Sequence, residues 1–298
     1  MEKKLIAIVG LTASGKSELA IKLAKKFHGE IISADSRQVY KGLDIGTAKI
    51  KKGEMKGILH HLLSVVSPKK GYSVVSYQKA AYRAILGIFR RKHVPILIGG
   101  SPQYIYSVVD GWVLPKVVPD KKLRSQLEKL SIAELLWKLK KLDPARAKSI
   151  EQKNKRRIIR ALEIVLTTGK PVSSLKKDPL PYPVLFLGIK RTKEEIKKRI
   201  HKRFLAMLKQ GFLSEIKKLR KEGLSWKKIE GFGLEYRESA QYLQGKISKK
   251  EMIEKATKAT ENFARRQMVW FKKDQRIYWV KNYKEAINLI LLSFKDIS

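Results

Sequence analysis

The sequence predicts an α/β protein in which helices flank a parallel sheet and a small all-helical domain is inserted. Three observations support this fold class. A phosphate-binding motif joins a strand to a helix near the N-terminus, apolar strand-like segments alternate with helical patterns, and residues 113–183 contain helical patterns alone. We therefore expect a core domain formed by residues 1–112 and 184–298, with residues 113–183 as the helical insertion.

The first element is a strand over residues 5–9, where five successive apolar residues indicate burial on both sheet faces. The next segment matches the pattern G-x-x-x-x-G-K-[ST] at every fixed position, and we call it the phosphate loop: Gly10, Leu11, Thr12, Ala13, Ser14, Gly15, Lys16 and Ser17. Residues 18–24 then show the apolar spacing of a helix.

Such a loop binds phosphate because its glycines let backbone N–H groups point inward and the helix N-terminus adds partial positive charge. Lys16 supplies a full positive charge, and the Ser17 hydroxyl can ligate Mg²⁺. The motif in this context indicates a P-loop NTPase-like sheet and a ligand that carries a di- or triphosphate. It does not identify that ligand.

Four further apolar segments predict the other strands, at residues 30–34, 94–98, 184–189 and 277–280. Helical patterns separate the early strands, which implies right-handed crossovers and parallel pairing. After the fourth strand, the capping pattern Thr192–Glu195 begins a helix that we expect to end at Gly211. The pattern Ser248–Glu251 begins a long helix through Phe271.

Prolines border the insertion, at positions 115 and 119 on one side and at 179, 181 and 183 on the other. Ser131–Glu134 is a capping box, Asp143–Pro144 begins another helix, and Gly169 ends the last one. In that last helix Arg156 and Arg160 lie four residues apart and share a face, which can contact phosphate groups.

The composition is strongly basic, with 66 Lys and Arg against 27 Asp and Glu and a net charge of +39. This balance favours a polyanionic partner, although a basic bias across the whole proteome or non-specific membrane attraction is the alternative. Cysteine is absent, which excludes disulfides, thiol chemistry and Cys-ligated zinc. The N-terminal apolar run is too short for a signal-peptide core, and no run approaches ~18 apolar residues. We expect a soluble, cytoplasmic protein with no membrane association.

Asp35 follows the second predicted strand and should face the ligand crevice beside the phosphate loop. Three roles are open for its carboxylate: a Mg²⁺ ligand, a general base, or the cap of a following turn. The strand at residues 94–98 ends instead in Gly99, Gly100 and Ser101. An ATPase would place a metal-binding acid at such a strand end, so this segment argues against a nucleotide-hydrolysing motor.

Several motifs together resemble the bacterial tRNA dimethylallyltransferases, also called isopentenyl-tRNA transferases. The phosphate loop, Asp35-Ser36 with Tyr40, and the run Asp44–Lys49 (Asp-Ile-Gly-Thr-Ala-Lys) carry the first part, and that run is highly specific. The match continues through the following segments: residues 60–62, 72–74, 99–104, 157–163, 199–204 and 266–271. It therefore spans nearly the whole chain.

The resemblance implies transfer of a dimethylallyl group from dimethylallyl diphosphate to the exocyclic N6 amine of the adenosine 3′ of the anticodon in tRNA. It also implies Mg²⁺ dependence and a phosphate loop that holds the donor diphosphate instead of ATP. Such a loop accounts for the missing strand-end acid, and a tRNA partner accounts for the basic composition. No protein partner is implied, and we expect a monomer.

Roles follow residue by residue from the same resemblance. Lys16 and Arg203 would act on the diphosphate, Ser17 would ligate Mg²⁺, and Asp35 would be the general base that accepts the proton of the adenine amine. The matching tRNA-binding residues are Thr12, Asp35, Ser36, Arg37, Gln38, Ser101, Arg124, Arg156, Arg157, Arg160, Arg237, Arg265 and Arg266. The adenine must leave its stack to react, which requires a pocket beside these residues.

Two positions depart from the family pattern. Ser101 stands where the family commonly has Thr, and Glu235 stands where it usually has Gly before the Tyr. We expect the segment around Glu235 to lie near the anticodon loop. His60 and His61 suggest a metal site, but adjacent strand residues point to opposite sides and are not expected to share an ion.

Two alternatives remain open at the level of sequence. A P-loop small-molecule or nucleotide kinase would use the same loop and an inserted helical lid, and should bind and turn over ATP. A non-catalytic RNA-binding protein would only capture phosphate in the loop and should tolerate loss of Asp35.

Overall fold

A computed structural model describes residues 3–115, 117–172 and 176–294, and its centre is a six-stranded parallel sheet. The strands are β1 Leu5–Val9, β2 Gly29–Ala34, β3 His60–His61, β4 Val94–Gly99, β5 Val184–Ile189 and β6 Ile277–Val280. Their order across the sheet is β3-β2-β4-β1-β5-β6, and every neighbouring pair is parallel. The predicted α/β fold class, with its parallel sheet and flanking helices, is confirmed.

Three predicted strands, at residues 5–9, 184–189 and 277–280, have the predicted bounds. β2 begins one residue before the predicted segment, and β4 continues to Gly99. The edge strand β3 was not among the strands predicted from apolar segments, because two residues are too few for a periodic pattern, although His60 and His61 were treated as neighbours on a strand. It pairs His60 with Ile31 and His61 with Ile32 of β2.

Contacts divide the chain into two units, residues 1–110 with 180–298, and residues 111–179. In the first unit, three helices precede the insertion: α1 Lys16–Lys26, α2 Val74–Arg90 and α3 Pro102–Val109. Within its described residues, the first unit also contains a short 3₁₀ helix, Lys52–Met55.

The second unit contains the helices α4 Lys121–Lys129, α5 Ile132–Leu142, α6 Pro144–Ser149 and α7 Lys155–Thr168. The predicted helix signals are confirmed: Ser131 and Glu134 form a capping box, the Asp143 carboxylate caps α6, and Gly169 ends α7 at a φ of 65°. Leu135 and Leu139 of α5 join Ile158 and Leu162 of α7 in a separate apolar core.

Six helices of the first unit follow the insertion: α8 Lys193–Lys209, α9 Phe212–Lys221, α10 Trp226–Glu230, α11 Leu234–Leu243, α12 Lys249–Phe271 and α13 Tyr283–Ser293. The capping boxes at Thr192 and Ser248 are confirmed. The predicted end of α8 at Gly211 is wrong. The helix stops at Lys209, because Gly211 has a φ of 95° and precedes α9 as its N-cap.

The core of the first unit surrounds the sheet. All five residues of β1 are fully buried, because helices cover both faces of the sheet around it. On one face, Ile6 and Ile8 belong to an apolar cluster with Leu23 of α1 and Ile290 of α13. Complete burial of each such side chain contributes about 1.5–3 kcal/mol. α1 is therefore fixed against the strand that precedes the phosphate loop.

Within the described residues, no helix combines the length and apolar character that a membrane span requires.

Candidate functional site

A cavity of about 510 Å³ opens at the carboxyl ends of β1, β2 and β4. Ligands of open parallel sheets bind at this edge, because loops from neighbouring strands meet there. The phosphate loop lines one side of the cavity, Asp35 and Gln38 another, and Arg199, Lys202 and Arg203 of α8 a third. The predicted phosphate loop and Asp35 thus line one cavity together with three basic side chains of α8.

The phosphate loop has the backbone conformation that its sequence predicts. Gly10 and Gly15 have φ values of 146° and 98°, in a region that side chains disfavour, and α1 begins at Lys16. Residues 12–17 all line the cavity, so the positive end of α1 faces the space that an anion would occupy.

Lys16 is half-buried within this site. Burial lowers the pKa of its ammonium group, the nearby Asp35 carboxylate opposes this effect, and the Arg203 guanidinium adds to it. The resulting pKa is about 7 instead of 10.5. Its Nζ donates a hydrogen bond of 2.5 Å to the Leu11 carbonyl. A bound diphosphate would restore the charge, because an anion beside the amine favours its protonated form.

Asp35 follows β2 and caps the turn that comes next. Its Oδ1 accepts hydrogen bonds from the backbone N–H groups of Arg37 at 2.8 Å and Gln38 at 3.2 Å. The capping alternative is therefore confirmed. Both bonds use Oδ1, and within the described residues Oδ2 forms no hydrogen bond. The roles of metal ligand and general base stay predictions, and the second oxygen is available for either.

Ser101 connects the loop after β4 to the loop after β2. Its hydroxyl oxygen accepts a hydrogen bond of 3.1 Å from the Ser36 backbone N–H. Gly99, which precedes this loop, lies so close to β2 that an added Cβ would be 2.1 Å from the Ala34 carbonyl oxygen. A hydroxyl at position 101 is thus fixed beside the turn that holds Asp35.

Arg203 lies between the phosphate loop and α11. One terminal nitrogen donates to the Thr12 hydroxyl at 2.8 Å, and the other donates to Glu235 Oε1 at 3.2 Å. Its Nε is buried and has no hydrogen-bond partner among the described residues. On the same helix, Arg199 donates to the Ala13 carbonyl at 2.6 Å. α8 is therefore bonded to the phosphate loop at two points.

Gln267 is a site residue for which the sequence predicted no role. It is 2% exposed and bridges two loops: its Oε1 accepts from the Thr12 N–H at 2.8 Å, and its Nε2 donates to the Gly100 carbonyl at 2.6 Å. A Cβ on Gly100 would lie 2.3 Å from that Nε2, so glycine is needed there. Its place inside the motif that begins at Arg266 was the only signal.

The highly specific run Asp44–Lys49 is held by one carboxylate. Glu215 of α9 accepts hydrogen bonds from the backbone N–H groups of residues 44, 45 and 46 at 2.9, 2.6 and 3.2 Å. It also accepts from the Tyr236 hydroxyl at 2.6 Å. Gln38 in turn donates to the Thr47 carbonyl at 3.1 Å. This loop therefore positions the wall of the cavity that contains Gln38.

Arg37 is half-buried, whereas Arg237, Arg265 and Arg266 are exposed in the first unit. In the second unit Arg156 is exposed, and Arg157 pairs with Glu151 at 3.1 Å.

Arg124 and Arg160 both donate to the buried carboxylate of Glu163, at 2.6–2.8 Å and 2.5 Å. Arg160 also donates to the Val117 carbonyl at 2.9 Å. Arg156 and Arg160 share a helix face, but of the two only Arg156 is exposed.

The two adjacent histidines have separate partners. His60 Nδ1 lies 2.9 Å from the Ile58 carbonyl oxygen, whereas His61 Nε2 lies 2.6 Å from the buried carboxylate of Glu30. Among the described residues, no three His, Cys, Asp or Glu side chains are grouped as a metal site. Three oxygen groups that suit Mg²⁺ line the cavity: the Ser17 hydroxyl and the carboxylates of Asp35 and Glu18, the last of which pairs with Lys22. They require ligand oxygens to complete a coordination shell.

Fold and site together define a P-loop-type α/β protein in which a half-buried lysine, an arginine and a carboxylate face one cavity. The sequence profile of the IPP transferase family matches residues 38–274. The chain belongs to this family.

Named relatives and solved structures agree with this assignment. A tRNA dimethylallyltransferase of Roseiflexus sp. is 43% identical over 90% of both chains, and one of Carboxydothermus hydrogenoformans is 41% identical over 97% of this chain and 96% of its own. The crystal structure of a tRNA isopentenylpyrophosphate transferase from Bacillus halodurans has a TM-score of 0.73 at 34% identity, covering 100% of this chain and 97% of its own. A eukaryotic dimethylallyltransferase, captured acting on tRNA, has a TM-score of 0.81 at 29% identity, covering 98% and 79%.

Proposed function

We propose that this protein transfers a dimethylallyl group from dimethylallyl diphosphate to the N6 amine of the adenosine 3′ of the anticodon in tRNA. The observation that supports this proposal most directly is the grouping of Lys16, Arg203 and Asp35 around one cavity. Membership of the IPP transferase family and the names of the relatives give the reaction class. Lys16 and Arg203 would act on the departing diphosphate, and Asp35 would act on the adenine amine.

The donor diphosphate would lie against the phosphate loop. As the allylic C–O bond breaks, negative charge grows on the departing diphosphate. Lys16, Arg203 and the phosphate loop line the cavity and would stabilise that charge. Mg²⁺, held by the Ser17 hydroxyl together with diphosphate oxygens, would neutralise part of that charge. Ile31, Ile98 and Phe263 line the same cavity and give the dimethylallyl group an apolar wall.

The acceptor adenine would lie beside Asp35 and Ser101. The N6 nitrogen forms the new bond to the allylic carbon as the diphosphate leaves, and it then carries an extra proton. Asp35 Oδ2 would accept this proton, while Oδ1 stays bonded to the backbone of Arg37 and Gln38. An amine that is already forming a C–N bond gives up its proton readily, so a positioned carboxylate is sufficient.

The exposed arginines are the proposed tRNA contacts outside the cavity. Arg237, Arg265 and Arg266 of the first unit and Arg156 of the second have the exposure that phosphate binding needs. For the helical unit, residues 111–179, we propose a role as a clamp on the anticodon stem-loop.

The direct test is incubation with labelled dimethylallyl diphosphate, Mg²⁺ and a tRNA that has adenosine 3′ of its anticodon, followed by nucleoside analysis. The matched control is the same tRNA with guanosine at that position. We expect label in N6-dimethylallyladenosine with the first tRNA alone, and none with the Lys16→Ala variant. Tight ATP binding with turnover would indicate a kinase, and tRNA binding without transfer would indicate a binding protein.

A further inference from the structure

A buried carboxylate pairs with the arginine of the phosphate site. Glu235 is 5% exposed at its side chain, and its Oε1 lies 3.2 Å from a terminal nitrogen of Arg203. Resting on the proposed function, we propose that Glu235 is a positioning residue for transfer: it holds the Arg203 guanidinium against Thr12 in the orientation that meets the departing diphosphate. The predicted place of this segment near the anticodon loop stays a prediction. The structure puts the Glu235 carboxylate beside Arg203, which lines the cavity.

The guanidinium of Arg203 is held at both ends. One terminal nitrogen donates to the Thr12 hydroxyl at 2.8 Å and the other to Glu235, so the plane of the group is fixed by two partners on different elements. Thr12 is itself fixed, because its N–H donates to Gln267 at 2.8 Å. The buried Nε–H has no partner among the described residues, so the two terminal nitrogens alone hold the guanidinium. A rigid arginine loses less entropy when it binds a phosphate group.

The charge balance of the cavity gives Glu235 a second effect. Lys16, Arg199, Lys202 and Arg203 all line the cavity, and Arg203 lies close enough to Lys16 to lower its pKa. Without a nearby anion, repulsion among these cations would favour movement of the Arg203 side chain toward solvent. The carboxylate of Glu235 opposes that movement, because it is buried on the protein side of the guanidinium.

The backbone before Glu235 is constrained in a way that places the side chain there. Gly233 has a φ of 73° and Leu234 a φ of 45°, and positive values are uncommon for leucine. Glu235 then lies in the first turn of α11, where the helix dipole stabilises a negative charge. Residues in sparsely populated backbone conformations cluster at functional sites.

The competing interpretation is that the ion pair only joins α8 to α11 and stabilises the fold. A structural pair would change the melting temperature when broken and leave the chemistry of folded molecules unchanged. A positioning pair would change the transfer rate and the order of the arginine side chain. The two roles are therefore separated by experiments on Glu235→Gln, which keeps the size and an acceptor oxygen but removes the charge.

The first experiment is a double-mutant cycle with Arg203→Ala, measured as single-turnover transfer to tRNA. We expect Glu235→Gln to slow transfer about tenfold while the affinity for Mg²⁺-pyrophosphate stays within about threefold, because orientation matters most in the transition state. In the Arg203→Ala background the same change should alter the rate by less than about twofold, because the effect acts through that arginine. Glu222→Gln, an exposed change of equal charge, is the control and should match wild type.

The second experiment does not depend on activity. In protein labelled with ¹⁵N-arginine, the Arg203 signals are assigned by their absence in Arg203→Ala. We expect restricted rotation of the wild-type Arg203 guanidinium and faster rotation in Glu235→Gln, with no change in Glu222→Gln. Equal rotation in wild type and Glu235→Gln, or an equal loss of rate in both Arg203 backgrounds, would overturn the proposal. If wild type transfers no prenyl group, the proposed function fails, and the rotation measurement still decides whether Glu235 orders Arg203.

Discussion

Two arginine–glutamate arrangements in this molecule differ in what they leave available. In the helical unit, Arg124 and Arg160 both bond to the fully buried carboxylate of Glu163. In the core unit, one terminal nitrogen of Arg203 bonds to Glu235, while the side chain still lines a cavity with Lys16. The first arrangement engages both arginines with one buried carboxylate, whereas the second leaves Arg203 on the wall of a cavity. The count of 66 basic residues does not distinguish the two arrangements. Whether an arginine can bind a ligand depends on how fully a nearby carboxylate already engages it.

In the first arrangement, which we call closed because its carboxylate is fully engaged, the pKa of Glu163 shows how strongly the partners act on it. Burial raises the pKa of this carboxyl, but hydrogen bonds from Arg124, Arg160 and the Asp120 N–H outweigh burial and lower the pKa to about 2. The core unit has a similar closed cluster at Glu30, where Arg91, His61 and His93 outweigh burial in the same way. Both carboxylates therefore stay ionised at neutral pH and hold their partners.

The largest effect is expected at the open site. Asp35→Asn should reduce turnover by about 10²–10⁴-fold, the range for a lost general base, while tRNA and pyrophosphate binding change little. The amide oxygen can still accept the Arg37 and Gln38 N–H groups, so the turn should persist. Single-turnover kinetics and binding titrations measure the two effects separately. Turnover within a few-fold of wild type would leave capping as the only role of Asp35.

The closed cluster should respond through stability instead. Arg160→Ala leaves the buried Glu163 with fewer donors, and we expect a loss of about 1–3 kcal/mol in the free energy of unfolding, because a buried acceptor loses a partner. Chemical denaturation of the variant measures this loss. Compared with Arg160→Ala, Arg203→Ala should lower the free energy of unfolding less and the transfer rate more. If Arg160→Ala has wild-type stability, the Glu163 cluster is not a structural element.

The pH dependence of the same cluster has a defined sign. The pKa of Glu163 is lower in the folded chain than its usual value of 4.5, so its contribution to stability is present above about pH 4.5. That contribution is lost as the pH falls from there toward 2. Acid unfolding of wild type and Glu163→Gln should therefore differ most above pH 4.5 and converge at lower pH.

Lys16 gives the open site a pH dependence near neutrality. Its pKa of about 7 means that the free amine is largely neutral above pH 7, whereas a bound diphosphate favours the charged form. Pyrophosphate binding at pH 8–9 should therefore take up close to one proton, and affinity should fall by up to about tenfold for each added pH unit. Calorimetry in buffers of different ionisation enthalpy measures the uptake, and Lys16→Met should abolish it.

The sequence was sufficient for features that are local along the chain. The phosphate loop, the strand at residues 5–9 and the capping boxes at Ser131 and Ser248 each depend on a few adjacent residues, and the structure has all of them. The position of Asp35 after a predicted strand identified this carboxylate, the family resemblance identified the cation Arg203, and the structure brings both to one cavity. Their chemical roles stay predictions.

Features that depend on long-range contacts were not predicted. Gln267 meets Thr12 across 255 positions of the chain and Gly100 across 167, so no sequence window contains both partners. Glu215 bonds in the same way to a loop 170 positions away, and Glu235 pairs with Arg203 of α8, 32 positions away. The ion pair of Arg160 was not predicted either. Helical spacing shows that Arg160 shares a face with Arg156, but it does not show that the buried Glu163 carboxylate binds it.

The smallest expected effect tests the exposed part of the helical unit. Arg156 is exposed, whereas Arg160 on the same face is engaged by Glu163. Each phosphate contact steepens the dependence of log affinity on log salt by about one unit, so Arg156→Ala should flatten the slope of tRNA binding by about one and weaken binding mainly at low salt. Pyrophosphate affinity without tRNA should not change. Lys129→Ala, which removes a charge from the end of α4, serves as a comparison for unspecific charge loss. An unchanged slope for Arg156→Ala would place the tRNA contacts of this unit elsewhere on its surface.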